Sequence, residues 1–220
     1  MTTLATDLRV VTGLATTALD PLWTIENADQ LVAAMYDVLP GVVAEWSLAA
    51  SATAAEWYDV AREQANVDGA FRAIVEPMKD LGAEALIGWA SEPLLQPVPE
   101  FSVAAYRAVG GLQKRMVNSA NFTITGSAAA DPKARGYQRV TRPEACGFCR
   151  MVASRGAVFS KATSTFACHE HCHCSARPVW GGDKIAVREY TQSDRTKNMK
   201  PEQRKRMNRQ AREWIADNLT

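Results

Sequence analysis

Two short blocks of cysteine and histidine supply most of the reactive side chains in this sequence. The first is "CGFC", residues 146–149, and the second is "CHEHCHC", residues 168–174, with eighteen residues between them. Together they contain all five cysteines and all three histidines of the 220-residue chain. Thiolates and imidazoles are the ligands that zinc prefers in proteins. Two ligand-dense segments therefore predict a metal site.

A structural zinc ion takes four ligands in a tetrahedron, typically as two close pairs from separate segments. The C-x-x-C block supplies one pair, and the second block offers an H-x-x-C pair in two registers that differ by two residues. The spacing leaves these registers open. We expect a structural Zn2+ held by Cys146, Cys149, His169 and Cys172, with His171 and Cys174 as alternates.

Other uses of the two blocks explain less of the pattern. A redox dithiol at a helix N-terminus would use "CGFC" and leave six ligand residues without a role. A disulfide framework would leave an odd cysteine over. A catalytic zinc ion needs an open coordination position and a nearby base, and Glu170 alternates with the ligands instead of lying one helical turn away. A structural metal is therefore the better interpretation.

Serine hydrolase chemistry is also hard to assemble from this sequence. A Ser–His pair requires an imidazole that is available as a base. His169, His171 and His173 all fall inside the presumed ligand block, so at most one or two could be spared. Protease activity therefore ranks below a structural role, and we predict no catalytic residues.

The first part of the chain must supply the framework for these blocks, and it has helical periodicity. Asn27 is a predicted N-cap for a helix that should break or kink at Pro40-Gly41 before an Ala-rich stretch continues it. A further helix is expected over residues 68–90, interrupted near Pro77, and another from about Ser102 to Asn118. The spacing of Val103, Tyr106, Val109, Leu112 and Met116 assigns these side chains to the core.

The second part changes character after a small, polar, Pro-containing stretch. "GYQRVTR", "AVFS" and "SARPVW" are predicted short strands, and a helix should begin at Pro201 with Met207, Ala211, Trp214, Ile215 and Leu219 on its apolar side. The predicted fold class is α+β. The predicted organisation is a helical domain (1–124), a linker (125–134), a zinc-stapled module (135–182) and a basic tail with a helix (183–220).

Charge is distributed unevenly along the chain, although its net value is only +1. Residues 1–100 carry four basic and fifteen acidic side chains, whereas residues 101–220 carry 21 basic and nine acidic ones. Such halves could attract each other within a chain or between copies, and the basic half could face nucleic acid. No apolar run approaches the roughly 18 residues of a membrane-spanning helix, so we expect no membrane partner.

The sequence around the two blocks resembles the C-terminal module of the Mu F-like minor head proteins of tailed phages, in the form seen in actinobacterial phages. The resemblance covers about residues 138–180, from "RVTRPEACGFCRMVASRGAVFS" to "CHEHCHCSARPVW". It consists of the Cys146/Cys149 pair, an Arg-Gly turn, a short strand, the His/Cys block and a Pro-Val-Trp strand. The wider family's motif matches His169, Cys172 and Cys174, which leaves Cys168 as the spare thiol.

This resemblance implies a structural component of the virion, inside the phage head near the portal, that is in the host cytoplasm during assembly. Its implied partners are the portal protein, the major capsid or scaffold protein and, through the basic half, packaged DNA. Some related proteins are taken to be prohead maturation proteases. The alternatives to a minor capsid role are therefore a maturation protease and a non-specific DNA-binding zinc module.

Removal of the predicted zinc ion should unfold the small module and spare the N-terminal helices. A module of fewer than about 70–80 residues seldom has enough core to fold without a metal or disulfide. We expect limited proteolysis after chelation to cut within residues 135–182 first. Uniform resistance along the chelated chain, or absence of stoichiometric zinc from the reduced protein, would contradict the prediction.

Overall fold

The structure is a computed structural model. It describes residues 3–75, 78, 80–141, 145, 147–154, 156, 170–171, 174–183 and 199–218. In this part of the chain the helices are α1 (Leu4–Thr17), α2 (Ala28–Gln64), α3 (Ala83–Ser91), α4 (Phe101–Ala130), α5 (Gly147–Ala153) and α6 (Pro201–Asn218). Short 3₁₀ turns cover Asp20–Thr24 and Glu92–Leu95, and the strands are β1 (Ala134–Val140) and β2 (Ser175–Trp180).

Helix α4 lies at the centre of the described structure. It contacts α1, α2, α3 and both strands, and buried residues occur along almost its whole length. The largest helix interface is that between α2 and α4. The hydroxyl of Tyr58, near the C-terminal end of α2, donates a hydrogen bond to Asp131, which directly follows α4. The C-terminal ends of the two packed helices therefore lie together, and the helices run in the same direction. Helix α3 runs in the opposite direction. The carbonyl of its N-cap Gly82 accepts a hydrogen bond from Arg115, whereas the carbonyl of Trp89, near its C-terminal end, accepts one from Arg107, which is earlier in α4.

Helix α2 begins at the predicted cap and continues through Pro40-Gly41 to Gln64, the end of the predicted Ala-rich stretch. The side chain of Asn27 accepts a hydrogen bond from the backbone N–H of Gln30 at 3.0 Å. The sequence predicted a break or a kink at Pro40-Gly41, and the break does not occur, since α2 is continuous over 37 residues. Pro40 is exposed, while Leu39 and Val43 on either side of it are buried in the core. Burial of these neighbours offsets the backbone hydrogen bond that proline removes.

By length and composition, α2 is also the one described helix that could cross a membrane. An 18-residue window within it has a mean hydropathy of 1.3 and is 28% buried. This is weak evidence, because a helix that packs into a protein core passes the same test. Leu31, Met35, Leu39 and Val43 form part of the core shared with α4. The absence of a membrane partner stays a prediction.

Two boundaries of the helical region differ from the sequence prediction. The helix expected over residues 68–90 forms only at Ala83–Ser91, and the described residues before it (68–75, 78 and 80–82) are not helical. The guanidinium of Arg62 accounts for the start of this segment, because it donates to the backbone carbonyls of Val67, Asp68 and Gly69 at 2.7–3.0 Å. The guanidinium thus satisfies three backbone carbonyls that have no helical partner.

The predicted linker is mostly the end of α4. Residues 125–130 are helical, and Thr125, Ser127 and Ala128 are buried. Alanine favours the helix, which ends at Ala130 with Asp131 as its C-cap before Pro132. The small side chains that looked like a flexible connection instead permit close packing around α4. The division of the chain into separate domains stays a prediction.

The sheet confirms two of the predicted strands. Strands β1 and β2 pair in antiparallel fashion, with Tyr137 opposite Pro178 and Val140 opposite Ser175. Tyr137 and Ala176 belong to the same hydrophobic core as the helices. The third predicted strand, "AVFS", lies outside the described residues. The predominantly helical fold with a small sheet confirms the α+β class, and α6 begins at Pro201 as predicted.

A buried carboxylate joins the helices to the sheet. Oδ2 of Asp131 accepts hydrogen bonds from the Tyr58 hydroxyl (3.1 Å), Arg62 Nε (3.1 Å) and Trp180 Nε1 (3.0 Å). Its Oδ1 accepts the backbone N–H of Lys133 at 2.9 Å. Burial raises the pKa of Asp131, but these hydrogen bonds outweigh burial and hold the pKa below its ordinary value. Burial and the neighbouring carboxylate raise the pKa of Tyr58.

Replacement of this carboxylate should destabilise the whole fold. Asp131→Asn leaves the Arg62 guanidinium buried without its counter-charge, so we expect the free energy of unfolding to fall by about 3 kcal/mol or more. Asp37→Asn, at an exposed position on α2, is the matched control and should change the value by less than about 0.5 kcal/mol. Urea denaturation measures both. Equal effects of the two substitutions would contradict the role given to Asp131.

The lowered pKa of Asp131 also predicts how the stability difference between wild type and Asp131→Asn depends on pH. Because the pKa of Asp131 is lowered on folding, its stabilisation is present above the ordinary carboxyl value of 3.8 and is lost as the pH falls through the folded-state value. The difference between wild type and Asp131→Asn should therefore be constant near neutral pH and shrink in acid. A difference that grows in acid would contradict this sign.

Candidate functional site

Three of the predicted metal ligands lie in the described part of the Cys/His blocks. Cys149 lies in α5 and is 1% exposed, and Cys174 lies directly before β2 and is 2% exposed. His171 lies in an exposed turn. The other predicted ligands, Cys146, His169 and Cys172, fall outside the described residues.

The two described cysteines come from separate segments and share one core. Helix α5 begins at Gly147, within the C-x-x-C sequence, and contacts β1. Cys149 and Cys174 are both members of the hydrophobic core cluster that contains Tyr137 and Ala176. Burial of thiols from two segments fits a closed structural site better than an open catalytic one. The donor types and their burial thus suit the predicted zinc ion.

Asn121 of α4 fixes the backbone around Cys174. Its Nδ2 donates to the carbonyl oxygen of Cys174 at 2.9 Å, and its Oδ1 accepts the backbone N–H of Ala176 at 2.6 Å. Asn121 is fully buried. An amide offers one donor group and one acceptor, and here each satisfies a buried backbone group. The second block is therefore anchored to α4 at the point where it enters β2.

A second anchor lies several turns earlier on α4. Tyr106, Gly110 and Lys114 are spaced by four residues and so share one face of the helix, which we call the α4 seat. The ring of His171 stacks on Tyr106 with centroids 4.1 Å apart and an angle of 26° between the planes. Glu170 Oε1 accepts a hydrogen bond from Lys114 Nζ at 2.8 Å.

Gly110 provides the space for this contact. A Cβ atom at residue 110 would lie 2.3 Å from Nε2 of His171, well inside van der Waals contact. His171 has a φ angle of 58°, in the left-handed region that residues other than glycine rarely adopt. Packing against the seat therefore holds the turn in an unusual backbone conformation.

The seat defines how His171 is used in this structure. Its ring stacks on that of Tyr106, whereas Cys149 and Cys174 are buried in the core. Within the described ranges no group of three or more Cys, His, Asp or Glu side chains forms a metal site. Since three of the four preferred ligands lie outside those ranges, the ligand set and the zinc ion stay predictions.

The residues of the seat and of the anchor were not identified from the sequence. The sequence assigns Tyr106 to the core, but the residue is 64% exposed even though its ring stacks on His171. The Gly110-Gly111 pair was the available signal, because glycine in a helix interior costs about 1 kcal/mol and usually has a packing reason. Gly111 also has one: a Cβ there would lie 2.2 Å from Leu86. No pattern marked Asn121.

Two cavities adjoin the site. A small one of about 360 Å³ lies beside the seat and is lined by Asp80, Trp89, Lys114, Arg115 and Glu170 among others. Burial lowers the pKa of Arg115, while Glu170 and Asp80 oppose that shift. A larger open groove of about 1130 Å³ runs between the end of α2 and the sheet. The lining residues of neither cavity form a recognisable catalytic arrangement.

The fold and site define a helical scaffold that carries a small sheet and a Cys/His segment. The chain belongs to the VG15 protein family, whose model matches residues 1–202. This is a family of phage proteins. No curated protein and no solved structure matches the chain. The phage origin expected from the sequence is thus supported, while the Mu F-like assignment stays a prediction.

The fit between Gly110 and His171 predicts a specific energetic coupling. Gly13→Ala, in the exposed face of α1 with nothing within 4 Å of the new Cβ, should raise the free energy of unfolding by up to about 1 kcal/mol. Gly110→Ala should lose that gain because the methyl group displaces the His171 ring. Combining it with His171→Ala should restore the gain, with a coupling of about 1 kcal/mol in urea denaturation. Additive effects would show that the ring does not occupy this position.

Proposed function

We propose that the chain is a minor head protein of a tailed phage, a structural component inside the head near the portal. The proposal combines the phage family match over residues 1–202 with the resemblance of residues 138–180 to Mu F-like minor head proteins. On this proposal the protein acts through the surfaces it presents and performs no turnover.

The observation that carries a structural role is the use of the Cys/His segment in packing. Cys149 and Cys174 are core residues, Asn121 secures the backbone on both sides of Ser175, and His171 stacks on Tyr106. A catalytic imidazole has to reach a substrate proton. The described histidine instead forms part of the contact that holds the second block on α4.

The proposed zinc ion would complete this arrangement. It would be bound by Cys146, Cys149, His169 and Cys172, with His171 or Cys174 as the alternates. When bound, zinc would cross-link the N-terminal end of α5, which carries Cys149, to the segment that precedes β2. The chain's own contribution is the pair of anchors on α4, which position the second block beside the first.

The proposed partners are the portal protein and the major capsid or scaffold protein, with packaged DNA in reach of the basic half. Copy number is expected to be low, as for proteins located at the portal vertex. Phage family membership supports a virion or infected-cell context. The choice among these partners is part of the proposal.

Fractionation of disrupted virions tests the proposed location. We expect the protein to remain with the portal-containing part of the head, and Cys146→Ser with Cys149→Ser to reduce its incorporation at least tenfold. Cys168→Ser, at the predicted spare thiol, is the matched control and should leave incorporation unchanged. Recovery of the protein only outside virions would overturn the proposal.

Coexpression with the major capsid precursor distinguishes the protease alternative. A structural protein should leave the precursor uncut, whether or not His169, His171 and His173 are replaced singly by alanine. Cleavage that depends on one of these histidines would overturn the non-enzymatic role. Altered particle assembly without cleavage would support it.

A further inference from the structure

The outer face of α2 has no partner among the described residues. Glu45, Leu48, Ala52, Glu56, Val60 and Glu63 follow one another at intervals of three or four residues, and all six are exposed. They form one continuous stripe along the helix, which we call the acidic ridge. At 1.5 Å per residue the ridge is about 27 Å long.

The ridge combines apolar contact area with uncompensated charge. Leu48 is 54% exposed and Val60 is 42% exposed. Its three glutamates form no ion pair with any other described residue. The only basic residue of α2, Arg62, is buried against Asp131. The ridge therefore presents exposed apolar side chains, bordered by negative charge, over a length that another helix could cover.

Helix α6 has the complementary charge. Residues 199–210 contain five basic side chains and one acidic one. Lys205, Arg206 and Arg209 are exposed and form no ion pair with another described residue. We call these three residues the basic face. Helix α6 has 18 residues and is thus also about 27 Å long.

We propose that the acidic ridge of one copy binds the basic face of α6 from a second copy. Within its own chain α6 contacts α5, which leaves the basic face directed to solvent. A second copy satisfies both surfaces at once, because every copy carries one ridge and one basic face. Duplex DNA would use the basic face alone, and the ridge would repel it.

The proposed contact joins two different surfaces, so association is head-to-tail. Such heterologous contacts close into rings or extend as filaments, according to the rotation between neighbours. Single exposed ion pairs contribute little, so binding depends on several charges together with Leu48 and Val60. The charged part of this contact is screened by salt. The inference concerns the isolated protein and does not depend on its proposed location in the phage head.

Sedimentation velocity of the full chain at low and high ionic strength tests the proposal. We expect concentration-dependent oligomers at about 50 mM salt and an association at least tenfold weaker at about 500 mM. One variant carries Lys205→Glu, Arg206→Glu and Arg209→Glu, and the other carries Glu45→Lys, Glu56→Lys and Glu63→Lys. Each alone should associate at least tenfold more weakly than wild type.

An equimolar mixture of the two variants should regain association, because each reversed surface then meets one of opposite charge. The control for net charge is Asp20→Lys, Glu26→Lys and Glu100→Lys, at exposed positions outside α2, which should associate like wild type. Circular dichroism establishes that the variants are folded, and the α6 variant remains decisive if the α2 variant is not.

A wild type that is monomeric at low salt would overturn the proposal, as would a mixture that fails to regain association. A parallel measurement of binding to duplex DNA tests whether the basic face binds nucleic acid instead. If the α6 variant loses affinity for DNA while wild-type chains do not associate with each other, the basic face serves nucleic acid and the proposal is wrong.

Discussion

The interaction on which this structure depends most is the buried contact between Asp131 and Arg62. Desolvation makes a buried carboxylate costly unless charge and hydrogen bonds compensate for it. Here the compensating groups come from α2 and β2 as well as from the chain directly after α4. Arg62 in turn holds the carbonyls of residues 67–69. This ion pair therefore lies where the ends of α2 and α4, the sheet and residues 67–69 meet.

Helix α4 carries this constraint to the Cys/His segment. Its C-terminal end meets Asp131, its middle provides Asn121, and its N-terminal half provides the α4 seat. The cysteines and histidines of the second block are thus positioned by side chains of a long, mostly buried helix. Rigid elements position a site more accurately than loops do. A change in the packing of α4 would consequently alter both stability and the placement of the second block.

The sequence predicted those features that depend on local patterns. The cap at Asn27, the strands predicted in "GYQRVTR" and "SARPVW", and the start of α6 at Pro201 follow from capping, alternation and proline preference; β1 begins and ends two residues earlier than predicted. It failed where tertiary contacts override local preference, as at Pro40, which the core burial of its neighbours tolerates, and at residues 125–130. The seat could not be predicted, because contact between Tyr106 and His171 joins residues 65 positions apart in the chain. The same holds for Asn121, whose partners lie beyond α5.

The shared core changes what a metal would have to stabilise. The sequence argument for a zinc staple assumed that residues 135–182 form a module too small to fold without it. In the structure Ala134, Tyr137 and Ala176 pack in the same core as α2 and α4, and Trp180 bonds Asp131. The sheet therefore has stabilising contacts that involve no metal ligand. The proposed zinc ion would then act chiefly on the chain between the strands, and loss of the metal should release that connection before it releases β1 and β2.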